Sequence, residues 1–451
     1  MNIAIDTLQK QLLGFIKDSA QPIRLIRKPG EPPISKQTLL HLIETYHYSL
    51  RDVNRIVLCA KNSVQWIALL LTCLLYNKEL YALDKETKTT HLQRAVSIIK
   101  PEIVLTDDGE DDTVSLYSVE DRQPKSVAPD LEPKLVLFTT GTTGEPRGVV
   151  IGLDNLMNNI ISFESAICLT HDEAVGLVAP FSHAMGLTMM LLSVCFGGDL
   201  VISSCEAQAL NAIISESIDV MAISPIMVSM LQRSSAYVER FRRMRCLISG
   251  GAGLSRETYR FYNDAGVRLI NGYGMTECCP VIAVTREGQI PWQMRPLDWC
   301  EVKVSPQGEL LVRGPSVCKC YYDGTRIADE NGWFHTRDIV EYEDGNLTVL
   351  HRMDNVHIMK NGYKLSLEDL ENRVMTIRGI LDCRAFVRIS ASGSESLHLE
   401  ISVDPALEEA ERAALAGQIA KVQHYYERVE SLTIVERIKT KGMKKVRYET
   451  D

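Results

Sequence analysis

Between residues 55 and 106 the chain alternates short β-branched runs with amphipathic stretches of helical length, and few architectures accept that pattern. Arg55-Ile-Val-Leu-Cys59 reads as a buried strand, Ser63 to Tyr76 as a helix and Tyr81-Ala-Leu83 as a strand. A helix near His91 to Ile99 and a strand at Glu102 to Thr106 follow. Strands that return in one direction through helices form a parallel sheet with helices on its faces. Asp6 to Lys17 and Lys36 to Tyr48 have helical spacing ahead of this unit. The alternation resumes with strands at Leu200 to Ile202, Val220 to Ile223 and Cys246 to Ser249, and with helices at Ala207 to Ser217 and from Pro225 to Gln232. Two α/β units are expected, and 451 residues exceed what one core holds.

From Phe138 to Val150 the sequence is FTTGTTGEPRGVV, set between the apolar Lys134 to Phe138 and the β-branched Val149, Val150 and Ile151. This predicts a strand, a tight polar loop and a second strand. Gly141, Gly144 and Gly148 let the backbone turn where a Cβ would clash, and Thr139, Thr140, Thr142 and Thr143 supply hydroxyl donors. Successive backbone N–H groups can line a concave anion site, and Arg147 adds a fixed charge, so the loop suits a nucleotide triphosphate. The Walker spacing G-x-x-x-x-G-K-[ST] is absent, which makes this a different phosphate loop. A plain polar hairpin has the same composition, and the choice falls to the other motifs.

A formal net charge of −9 argues against a nucleic-acid partner, which needs a surplus of Lys and Arg. The 12 cysteines include no C-x-x-C pair, and neither Cys278-Cys279 nor Cys318 with Cys320 has zinc-site spacing. Buried thiols in a reducing cytoplasm are expected. Met1 to Lys10 has no basic leader, and Trp66 to Tyr76 falls short of the roughly 20 residues that span a bilayer, so no transmembrane segment is expected. The acidic run Asp107 to Asp112 lacks the ligand alternation of a calcium loop and reads as a solvated loop.

Asp154 is placed to cap a helix through Leu156, Ile160 and Ile161. Phe181-Ser-His183-Ala-Met-Gly186 presents a histidine at a strand end, and Gly250, Gly251, Ala252 and Gly253 leave bare backbone against which a flat base can lie. Leu269 to Glu277 reads LINGYGMTE: Asn271, Gly272, Tyr273, Gly274, Met275, Thr276 and Glu277 put a ring, a hydroxyl and a carboxylate within a few residues. A base needs a flat apolar partner, and phosphate oxygens need donors and a metal. Short strand-like runs at Glu309 to Gly314, Trp333 to Asp338 and Asn346 to Leu350 predict a small barrel or meander.

In this order, from position 138 to 447, these segments resemble the AMP-forming acyl and aryl ligases, the superfamily that also holds the adenylation domains of peptide synthetases and firefly luciferase. The resemblance implies that Thr139 to Gly144 and Arg147 cradle the phosphates of ATP, while Gly250, Gly251, Ala252 and the Asn271 to Met275 stretch receive adenine, stacked on Tyr273. It implies Thr276 on the α-phosphate, Glu277 on Mg²⁺, Asp338 on both ribose hydroxyls, Arg352 on ribose or phosphate, and His183 flanking the bound acid. Asp354 would be the hinge. Within Gly442-Met-Lys444-Lys-Val-Arg447 the adenylation lysine would be Lys444, with Lys445 as its rival. The chain departs from the family at Arg147 (usually Lys), Arg337 and His351 (usually Gly), and in an interval from Arg352 to Gly362 longer by one residue.

The implied fold is α/β: a large N-terminal domain, residues 1–352, of two α/β subdomains plus a small β-barrel, and a small mobile α+β C-terminal domain, residues 353–451, that carries the adenylation lysine. The implied activity converts a carboxylic acid and ATP to an acyl-adenylate and pyrophosphate. The acyl group then passes to a thiol, that of coenzyme A or of carrier-protein phosphopantetheine, with His183, Thr276, Glu277 and Lys444 as catalytic residues. A stand-alone acyl-carrier-protein ligase and a non-catalytic nucleotide-binding relative are the alternatives. No acidic residue stands in Val178 to Met190, where amino-acid-activating domains place an Asp, which argues against an amino acid substrate. Met185, Met189, Met190 and Met227 would give a soft wall for a fatty or aromatic acid, which is also how a plain core reads.

Overall fold

Apolar runs without alternation need a sheet covered on both faces, and the strand Arg55–Cys59 is buried along almost all of its length. The computed structural model describes residues 5–18, 34–85, 87, 89–107, 114–118, 134–140, 146–203, 210–211, 217–254, 256–290, 292–353, 356–358, 364–389, 395–423, 429–436, 438, 440–441, 444–445 and 448–450. Strand β1 (Arg55–Cys59) lies parallel between β2 (Glu79–Leu83) and β3 (Ile103–Asp107), with Ile56 opposite both Leu80 and Ile103. β4 (Val114–Ser118) adds antiparallel to β3, β5 (Lys134–Thr140) runs parallel to β2, and β6 (Pro146–Gly152) returns antiparallel along β5. The helix Val64–Leu75, capped by the Ser63 hydroxyl on the Trp66 N–H, is apolar nearly all round because the core encloses it.

The second sheet has parallel strands β7 (Val175–Leu177), β8 (Leu200–Ile202), β9 (Val220–Ile223), β10 (Cys246–Gly250) and β11 (Leu269–Gly274). β12 (Val281–Val284) and β13 (Arg295–Pro296) close one edge antiparallel. The helices Leu153–Ile167 and Ala184–Phe196 lie in one apolar cluster with residues of both sheets, so a single core joins the two layers. The first of these helices is capped at Gly152, whose N–H donates to Asn155 Oδ1 at 3.0 Å. Asp154 therefore does not cap it; it sits in the first turn, where its charge faces the positive helix end.

A smaller antiparallel sheet follows, β14 (Glu301–Val304), β15 (Glu309–Arg313), β17 (Phe334–Glu343) and β18 (Asn346–Arg352) in that order, where the barrel or meander was expected. The intervening β16 (Cys320–Tyr321) leaves this sheet and pairs with β6, Cys320 opposite Val150 and Tyr321 opposite Val149. A bridge between Met294 and Leu347 ties the small sheet to the second large one.

From β19 (Val356–Ile358) and β20 (Lys364–Ser366) onward the chain builds another sheet, β21 (Ile380–Ile389), β22 (Glu395–Val403), β23 (Val429–Ile434) and β26 (Tyr448–Thr450). The short pair β24 (Thr440–Lys441) and β25 (Lys444–Lys445) lies between the last two of these in sequence. This part has its own apolar cluster of Leu367, Leu370, Val374, Cys383, Leu399, Leu415 and neighbours. Its second helix is Glu409–Val422, and Val429 already belongs to β23. The helix expected at Ala207 to Ser217 lies mostly outside the described residues. Among the described residues no helix is long and apolar enough to cross a membrane.

Candidate active site

In open sheets of parallel strands, ligands bind beyond the carboxyl ends of the strands, where connections diverge. The segments singled out from the sequence lie there: Thr139 and Thr140 end β5, Gly250 ends β10 ahead of Gly251 at φ +85°, and Tyr273 and Gly274 end β11.

Tyr273 and Asp338 come together across the seam between the second large sheet and the small one. The Tyr273 hydroxyl donates to Asp338 Oδ2 at 2.5 Å, and Arg352 Nη1 donates to Oδ1 at 3.1 Å. The register of β17 and β18 sets Asp338 opposite Arg352, and the Asp338 N–H donates to Thr336 Oγ1. Burial, then the neighbouring Asp338 carboxylate, pushes the Tyr273 phenol well above its usual range, so it stays a donor. Arg337, where the family has glycine, adopts φ +62°, the left-handed conformation that a glycine takes freely. Arg337 therefore carries backbone strain where β17 shifts register against β15.

Glu277 stands on the short turn Thr276–Cys278, held by Met275 N–H on Pro280 O at 2.8 Å. A Cβ on Gly274 would lie 1.8 Å from Pro280 O, so only glycine closes this turn. Tyr321, unmarked in the sequence, donates its hydroxyl to Glu277 Oε1 at 3.0 Å, and the Arg147 guanidinium lies 3.5 Å from the Tyr321 ring centre. Behind them Cys279 and Cys318 are buried with sulfurs 3.4 Å apart, the thiol environment expected from the sequence. Among the described residues no group of three His, Cys, Asp or Glu side chains could hold a metal. A single half-buried carboxylate suits Mg²⁺, which keeps waters and takes phosphate oxygens for most of its shell, and does not suit zinc.

His183 precedes the helix Ala184–Phe196, and its Nε2 lies 2.6 Å from Asp84 Oδ2, a carboxylate just past the end of β2. Asn62 braces the same loop, accepting from Phe181 N–H and donating to Ala179 O. Neither Asp84 nor Asn62 is near His183 in sequence; only their place after parallel strands could have marked them. Asp107, read as the start of a solvated loop, is instead 7% exposed, pairs with Lys85 and accepts the Lys61 N–H. Met189 and Met190 are fully buried in the main core, so of the expected methionine wall only Met185 and Met227 remain partly open.

Gly141, Thr142, Thr143 and Gly144 of the loop, and Asp354, expected as the hinge, lie outside the described residues. Thr139 donates to Arg147 O at 3.3 Å across the hairpin. Lys444 lies opposite Lys441 in β25, with Lys445 beside it opposite Thr440. Glu368, on the helix Leu367–Val374, stands 3.6 Å from where a Cβ on Gly253 would lie, so the C-terminal part borders the Gly250 to Gly253 loop.

A sequence profile of AMP-binding enzymes matches residues 48–322, more than half of the chain. The chain belongs to the AMP-binding enzyme family. Among its relatives are a feruloyl-CoA synthase of Amycolatopsis sp., 26% identical over 271 residues, and a 2-succinylbenzoate–CoA ligase of Geobacillus sp., 30% identical over 260 residues. The matches cover 55% of both chains in the first case and 52% of both in the second, so the chain spans about half the length of the curated relatives it matches. Among solved structures, ATP-bound MatB from Rhodopseudomonas palustris superposes with a TM-score of 0.82 at 19% identity, covering 98% of this chain and 97% of that one. The anthranilate CoA ligase AuaEII in complex with anthranoyl-AMP gives 0.80 at 13% identity, covering 97% and 95%. These two solved structures share the fold described above, small C-terminal part included.

Proposed function

We propose that this chain activates a carboxylic acid with ATP to an acyl-adenylate, releases pyrophosphate, and passes the acyl group to a thiol, that of coenzyme A or of a carrier-protein phosphopantetheine. The observation that carries this reading is the convergence of Tyr273 with Asp338 and Arg352 of the distant β17–β18 pair into one hydrogen-bonded cluster beside the Gly250 to Gly253 loop. The Tyr273 ring and the Gly251 backbone receive adenine. The Asp338 carboxylate receives the ribose hydroxyls, since its two oxygens can serve adjacent OH groups. Arg147 and the threonine loop take the phosphates, Thr276 donates to the α-phosphate, and His183, held by Asp84, borders the acid. Bound at Glu277, Mg²⁺ supplies charge neutralisation to the phosphates.

The acid's carboxylate oxygen attacks the α-phosphorus as the pyrophosphate oxygen leaves, and Lys444 bridges the two negative groups at that moment. Residues 353–451 form a second domain that turns about Asp354, withdrawing Lys444 and admitting the thiol. A separate apolar cluster in this part supports that division. The names of the relatives, feruloyl-CoA synthase and 2-succinylbenzoate–CoA ligase, support an aryl acid and coenzyme A ahead of the other substrates. Free, mostly buried thiols support a reducing cytoplasmic setting.

The test is acid-dependent exchange of labelled pyrophosphate into ATP over a panel of aryl and fatty acids. At least one acid should drive exchange, and Lys444→Ala should abolish it while leaving thiol attack on a preformed acyl-adenylate intact. Absence of exchange with every acid, or full exchange in Lys444→Ala with Lys445 intact, overturns the reading of the reaction or of the lysine respectively.

A further inference from the structure

The strand pair β6–β16 does something the nucleotide motifs alone do not require: it fastens the phosphate hairpin to the turn that bears Glu277. Tyr322 N–H donates to Gly148 O at 2.7 Å on one side, and Cys318 N–H donates to Glu277 O at 2.9 Å on the other. Between these anchors Tyr321 is held at its hydroxyl and over its ring. Its hydroxyl donates to Glu277 Oε1 at 3.0 Å, while the Arg147 guanidinium stacks on its ring and reaches Asp323 at 3.8 Å. Arginine can make that stack because its cation is planar and weakly hydrated, which gives the departure from lysine at this position a physical sense. Among the described residues no other hydrogen-bond or ion-pair partner reaches the Glu277 carboxylate.

We propose that Tyr321 is a positioning residue for the divalent cation: by occupying one oxygen of Glu277 it turns the other toward the metal on the nucleotide, and Arg147 couples that orientation to the phosphate hairpin. The proposal rests on Glu277 being the metal carboxylate. A hydroxyl that orients a ligating carboxylate changes metal affinity by about 10- to 100-fold when removed, without touching the metal itself. Tyr321→Phe removes one oxygen and keeps the ring, so the stack with Arg147 and the β6–β16 pairing persist.

The experiment is equilibrium binding of ATP to the full chain, first in EDTA and then across a Mg²⁺ titration, for wild type, Tyr321→Phe and Glu277→Gln. Tyr321→Phe should bind metal-free ATP as wild type does and need about 10-fold or more Mg²⁺ for the half-maximal gain in affinity. Glu277→Gln should lose the gain altogether. If Glu277→Gln loses it and Tyr321→Phe keeps the wild-type midpoint, Tyr321 is merely structural and the proposal fails while the reading of Glu277 stands. If both keep it, Glu277 is not the metal carboxylate, and reading and proposal fall together. Should Tyr321→Phe not fold, 3,5-difluorotyrosine at that position keeps the shape and strengthens the donor; it must move the Mg²⁺ midpoint by about 2-fold or more, and an unmoved midpoint overturns the proposal.

Discussion

Tyr273 and Asp338, 65 positions apart, share a 2.5 Å hydrogen bond that joins the end of β11 to the bulged start of β17. The contact fixes the ring proposed to receive the base relative to the carboxylate proposed to receive the sugar. Asp338→Asn removes the negative charge that Arg352 Nη1 faces at 3.1 Å. The expected result is a loss of about 1–3 kcal/mol in urea unfolding and a weakening of ATP binding by about 10-fold or more. Tyr273→Phe should be milder on both counts, since the ring stays.

The turn at Glu277 has no room for a methyl group at position 274. Gly274→Ala drives a Cβ into the Pro280 backbone carbonyl, a clash that no rotamer relieves. Nucleotide binding should be lost and the melting temperature should fall by several degrees. A variant that melts and binds as wild type does would contradict the turn geometry.

Arg337 occupies a left-handed backbone position with an exposed side chain. Restoring glycine relieves that strain at the cost of a more flexible unfolded chain, and the relief is the larger effect. Arg337→Gly should raise stability by about 0.5–1 kcal/mol, read from denaturant midpoints at unchanged slope.

Thiol chemistry should separate the cysteines sharply. Burial pushes Cys59 and Cys246 up to about 11 and Cys195 up to about 12, so at pH 8 their thiolate fractions are negligible, whereas Cys168 is exposed. Maleimide followed by peptide mapping should modify Cys168 well before these three. Fast labelling of Cys59 would show the His183 and Asp84 side of the cleft to be open.

His183 and Asp84, 99 positions apart, meet through tertiary structure alone. Asp84→Asn keeps the shape but removes the charge that orients the imidazole. If His183 borders the acid, KM for the acid should rise about 5-fold or more while metal-free ATP affinity is unchanged; equal changes in both would place the pair elsewhere in the mechanism.

The sequence by itself determined the two α/β layers, the hairpin around the phosphate loop and the family, because strand and helix periodicities are local and the glycine-, threonine- and carboxylate-bearing motifs are contiguous. Leu269 to Glu277 could be read directly, since its ring, hydroxyl and carboxylate sit on one turn. What only the tertiary structure decided are the partners that arrive from other strands: Asp84 on His183, Tyr321 and Arg147 around Glu277, and Arg352 opposite Asp338. Tyr321 had no local signal, because a tyrosine in a two-residue strand acquires its role from β6 beside it. Asp107 and Met190 went the other way: charge and softness suggested a solvated loop and a pocket wall, and burial in the core overrode both, since whether a side chain faces solvent, ligand or core depends on what packs against it.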